Sequence, residues 1–130
     1  MNALLRFVAP DRHRLSGRRE GLFHAAAKLA AQGHMAAHEL AEYHDLRQWF
    51  VDNLARPTRF STSKRPNAQA RALSWFKPAG TAHIARMRDL QRLVEGCGVP
   101  VTVLRTDRPG YVCYEDDWQI VAYPFADTPT

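Results

Sequence analysis

Between Asp52 and Asp89 the chain carries no acidic residue, and inside that gap stand Arg56, Arg59, Lys64, Arg65, Arg71, Lys77, Arg86 and Arg88. Phe60, Trp75, Phe76 and His83 are interleaved with them. Cations at this density attract polyanions, because each neutralised phosphate releases condensed counterions. Aromatic rings between the cations can stack bases. The stretch from Asp11 to Arg19 adds Arg12, Arg14, Arg18 and Arg19. The residues expected to hold phosphates are therefore Arg12, Arg14, Arg18, Arg19, Lys64, Arg65, Arg71, Lys77, Arg88 and Arg92, with Trp75 or Phe60 stacking a base. Arg88 and Arg92 stand four apart on one predicted helix, and neither has an acid four residues away, so both read as open to a partner. The competing reading is a solvated cationic surface with Trp75 and Phe76 in the core.

Other chemistry-bearing residues are sparser. His34, His38 and Glu42 have the spacing of metal ligands on one helix face, but Gly33 marks a break just before them, and no metal is assigned. Cys97 and Cys113 are the only cysteines and form no CxxC pair, so they read as buried reduced thiols. No P-loop, GxGxxG, GxSxG or HExxH occurs, and no cofactor is assigned.

Phe60-Ser61-Thr62-Ser63 contains a triplet that resembles the STS element of bacterial ADP-ribosylating toxins. In that family an arginine on an early strand precedes the triplet and a Glu-x-Glu turn follows it. Arg6 on the first predicted strand and Glu115-Asp116-Asp117 at a late turn stand in the same order. The resemblance implies a role for Arg6 on a pyrophosphate, for Ser61 in a nicotinamide pocket, and for Glu115 and Asp117 as the acids. Asp117 replaces the family's second glutamate and is one methylene shorter, so the expectation is that no NAD chemistry occurs. The run RPGYVCYEDDWQIVAYPF and the SWFK at 74–77 resemble elements of short bacterial proteins with no assigned function, which implies a small stand-alone domain.

These residues need elements to position them. ALLRFVA, followed by Pro10, predicts a first strand. Ser16 is placed to cap a helix that runs to Gly33. Tyr43, Leu46, Phe50 and Leu54 repeat with a helical period and predict a second helix over about 36–54, ended by Arg56-Pro57. The segment 55–80, broken by Pro57, Pro66 and Pro78, reads as a long basic loop with a short ordered piece at 72–76. Thr81 is placed as the cap of a third helix reaching Glu95, with Ile84, Met87, Leu90 and Val94 as its buried stripe. VPVTVLRT, YVCYE and WQIVAYPF then read as three strands of a meander. Arg108-Pro109-Gly110-Tyr111 has the composition of a type II turn. The order β-α-α-loop-α-β-β-β predicts a single α+β domain over residues 1–130, with helices packed on one face of a mainly antiparallel sheet.

Length and composition fit one globular domain with its own core. Eighteen basic against thirteen acidic side chains leave a formal charge of +5, which favours acidic partners. The charge is uneven: residues 107–130 hold Asp107, Glu115, Asp116, Asp117 and Asp127 against Arg108 alone. No leader peptide or membrane-spanning run is legible, so a cytoplasmic location is expected. The functional expectation is a small basic binding or accessory protein that engages nucleic acid or an anionic protein surface. An ADP-ribosyltransferase-like enzyme is one alternative. The other is an interaction or inhibitor module built on the 115–117 turn with Trp118, Tyr123 and Phe125.

Overall fold

The computed structural model describes residues 3–12, 17–56 and 72–130. Strand β1, Leu4–Arg12, is the centre of the sheet. Its apolar residues serve both faces, Phe7 on one side and Leu4 and Val8 on the other. Pro10 does not end the strand as the sequence suggested. It lies where the pairing register shifts between Val8 and Arg12, an irregularity that tolerates a residue without an amide donor.

The region before the first helix differs from expectation. Arg19–Gly21 forms a short strand, β2, paired with β1, and helix α1 spans Leu22–Ala31 with Gly21 at its cap. The helix therefore begins too late for Ser16 to cap it, and Ser16 itself lies outside the described residues. The competing demand is local: Glu20 is buried and holds Lys28 Nζ at 3.0 Å and His24 Nε2 at 3.3 Å.

Helix α2, Ala37–Asn53, buries Tyr43, Leu46 and Phe50 along the predicted stripe. The Glu39 carboxylate accepts the Ala36 amide at 2.9 Å and closes its first turn. The predicted ordered piece at 72–76 is a true strand, β3, Leu73–Phe76. Helix α3, Thr81–Gly96, takes Gly80 as its cap, so Thr81 is its first residue instead. Three strands follow: β4, Thr102–Thr106; β5, Tyr111–Glu115; and β6, Gln119–Tyr123.

These last three strands are not one meander. β5 and β6 form a hairpin, but β4 pairs with β1 over five residues, from Leu4 with Thr106 to Val8 with Thr102. β4 carries Val103 into the helix-side core and Leu104 into the opposite one, so it suits the two-faced central strand better than the hairpin. Every recorded strand pair is antiparallel. All three helices pack on one face around Phe7 and Phe76, while Leu4, Val8, Trp75 and Leu104 form a smaller core on the other face. The protein is thus an α+β fold. Among the described residues no helix is long and apolar enough to cross a membrane.

The pairing registers locate a break in the sheet. Leu5 pairs with both Arg105 and Phe76, and Val8 pairs with both Thr102 and Gly21. Strands β3 and β2 therefore share one edge of β1, end to end, and the gap between them falls at Arg6 and Phe7.

Candidate anion-binding site

Arg6 fills that gap. Its Nη1 donates to Ser74 O on β3 at 3.4 Å and its Nη2 to Arg19 O on β2 at 3.3 Å. Both bonds are longer than the usual N–H···O distance. The Nε–H is buried and has no acceptor. No carboxylate pairs with this guanidinium among the described residues, and the stretches 1–2, 13–16 and 57–71 contain no Asp or Glu at all. Burial, and secondarily the charge of Arg19, pull its pKa down to about 10, so it remains a cation at neutral pH. Arg6 is half-buried and its Nε fully so; charges withdrawn from water are ordinarily paired, and this one is not.

A cavity of about 530 Å³ opens beside it. The apolar wall comes from Phe7, Leu22, Phe50 and Phe76. Arg47 and Arg56 on the α2 side also line it, and neither is engaged by a carboxylate. Ala55 and Arg56 at the start of the acid-free segment and Ser74 further along it line the same cavity. The cavity is thus lined by both cations and aromatic carbon.

A second cluster lies at the C-terminal end of α2. The Arg86 guanidinium sits 5.3 Å from the Trp49 ring centre. Trp49 meets His83 edge to face at 4.9 Å, and His83 stacks on Trp118 at 5.2 Å and 24°. His83 Nε2 lies 2.8 Å from Asn53 O, the last carbonyl of α2. Gln119 Nε2 donates to Ala55 O at 2.7 Å and ties the base of Trp118 to the same place. Trp118 leaves 39% of its surface open. Trp49 on α2 and Trp118 before β6 are far apart in sequence, so no local pattern joins them.

The expected phosphate-holding residues do not form one face. Lys77 is bound to Glu115 at 2.6 Å. Arg92 pairs with Asp89, one helical turn away, which corrects its reading as an open cation. Arg88 lies 5.1 Å over the Phe7 ring and reaches Gln91 at 3.2 Å. Arg12 donates to Gly17 O at 3.1 Å, and Arg18 and Arg19 hold Thr130. Arg14, Lys64, Arg65 and Arg71 lie outside the described residues, as do Phe60 and Ser61. Trp75 is fully buried and Phe76 nearly so, which assigns both to the core and removes Trp75 as a stacking platform.

The residues of the toxin-like order are placed apart. Arg6 on β1 and Glu115 on β5 are separated by β3 and β6, three strand spacings or about 14 Å. Glu115 is occupied by Lys77. Asp117 is exposed in the β5–β6 turn, where its neighbour Asp116 does the structural work. Burial alone would raise the Asp116 carboxyl, but hydrogen bonds from Gln119, Trp118 and Tyr114 outweigh it and hold its pKa below the ordinary value. The two thiols lie apart, and Cys97 is pushed up by burial and by Glu39, away from the nucleophilic thiolate. His34 precedes α2, and the described residues hold no group of three side chains able to bind a metal ion. No protein-family model, curated protein or solved structure matches the chain.

Proposed function

We propose that the protein is a nucleic-acid-binding module that stacks unpaired bases. The observation that carries this reading is the run Arg86, Trp49, His83 and Trp118, with the indole of Trp118 partly open at its end. It adjoins Ala55–Arg56, where the acid-free segment begins. A cation held over one ring and an open ring at the other end are the elements that bind single strands without base readout. Net charge of +5 supports the same reading.

Titration of a short single-stranded oligonucleotide across a salt series tests it. Affinity falls linearly in log–log form with salt. Trp118→Ala weakens binding by about 1–3 kcal/mol, the usual worth of one stacked base. Absence of binding at about 50 mM salt, in the range where phosphate contacts are strongest, rejects the reading.

A further inference from the structure

The Arg6 cavity carries an inference that does not depend on nucleic-acid binding. The fold surrounds a guanidinium with two long main-chain bonds, an orphaned Nε–H and no counter-ion. Sheet pairing does not require a charge there. A neutral side chain of similar length would fill the gap between β2 and β3 without the desolvation that a cation suffers. Phe7, Leu22, Phe50 and Phe76 face the same space, and its volume of about 530 Å³ is that of a small-molecule pocket.

We propose that this cavity binds a small organic anion: one oxyanion group, carboxylate or phosphate, on an apolar ring-sized body. The oxyanion accepts from the Arg6 Nη groups, whose fork geometry matches two oxygens of one centre. The ring lies against the apolar wall of the cavity, where Phe23 is exposed. Arg47 and Arg56 on the α2 side add attraction for the anion before it enters.

The test uses two fluorescent probes on the full chain: 8-anilinonaphthalene-1-sulfonate, an oxyanion on a ring body, and the neutral N-phenyl-1-naphthylamine. The anionic probe binds one site, about tenfold or more tighter than the neutral one, as a charge-assisted bidentate contact requires. Phenyl phosphate or phenylacetate displaces it, and the stronger competitor identifies the oxyanion. Arg6→Met removes the preference and leaves the neutral probe bound. Ala27→Trp, a substitution on α1 that keeps Arg6 and places an indole at the cavity wall, weakens binding of both probes and provides the answer should Arg6→Met fail to fold. Failure of wild type to bind the anionic probe, displacement by neither competitor, unchanged preference in Arg6→Met, or undiminished binding in Ala27→Trp would each overturn the proposal.

Discussion

Asp116, in the turn between β5 and β6, accepts hydrogen bonds from Trp118 N at 2.9 Å, Gln119 N at 3.0 Å, Gln119 Nε2 at 3.0 Å and the Tyr114 hydroxyl at 2.9 Å. Arg6, in the gap between β2 and β3, makes two bonds, at 3.3 and 3.4 Å, and leaves a buried N–H unused. Both groups are ionised at neutral pH, and both stand where a strand pairing ends. One charge is saturated by the protein around it. The other is left short of partners while arginines and aromatic carbon gather beside it. A charge that folding has fully satisfied belongs to the architecture. A charge that folding leaves unsatisfied is positioned for something else, because desolvation without compensation lowers stability.

Several substitutions would sharpen or break that contrast. The largest effect belongs to the other end of the β5–β6 hairpin. Gly110 has φ +129°, and a Cβ there would overlap Tyr123 O and crowd Pro124. Gly110→Ala should cost about 3 kcal/mol, combining a disfavoured dihedral with steric overlap, read as a fall in melting temperature. Asp116→Ala comes next. It strands the Gln119 amide and two backbone N–H groups and should cost about 2 kcal/mol in denaturant unfolding. Asp117→Ala, one residue on and exposed, should stay within about 0.5 kcal/mol. Equal losses at the two positions would erase the distinction between them.

Arg6→Met should leave stability unchanged or raise it by about 1 kcal/mol, since replacing a buried charge by apolar atoms removes its desolvation cost. The sign is consistent with the depressed pKa: the folded state disfavours the cation at every pH below about 10. A loss of several degrees in melting temperature would show instead that the two carbonyl bonds hold β2 and β3 in place. The smallest effect is acid sensitivity. The Asp116 pKa is lowered on folding, so its contribution is present above 3.8 and is lost as pH falls through the lower folded value. Asp116→Asn should lower stability near neutrality, where the carboxylate is ionised, and flatten that part of the acid-unfolding curve, so that variant and wild type converge at low pH.

The helices were legible because their buried stripes are periodic and local. Tyr43, Leu46 and Phe50 face the core as their spacing dictates, and Met87, Leu90 and Val94 do the same in α3, with His83 taking a more buried place than Ile84. The strands were legible as strands but not as partners. Nothing between Val99 and Thr106 states that it will pair with Leu4–Val8, because strand pairing is decided by the two-faced core that only the assembled sheet reveals. The candidate site was half legible. Arg6 stood out through an order of residues that the fold then separated, while its actual surroundings depend on the break between β2 and β3. The acid-free stretch located the cations but not their partners: Lys77 finds Glu115 in space, while Arg92 pairs with Asp89, which bounds the stretch one helical turn away.

The pairing of Leu5 with Arg105 has a consequence for how the chain is made. During synthesis the central strand emerges well before β4, the partner for its full edge, with the three helices between them. A nascent chain that has produced all three helices still has β1 with one edge unzipped, and loop closure over such a separation slows the search for it. Before β4 arrives, Leu4, Phe7 and Val8 form an apolar strand with open main-chain groups, the kind of edge that other chains can add to. The interval between translating residue 12 and residue 106 is therefore the period in which this edge of β1 stays open to other chains.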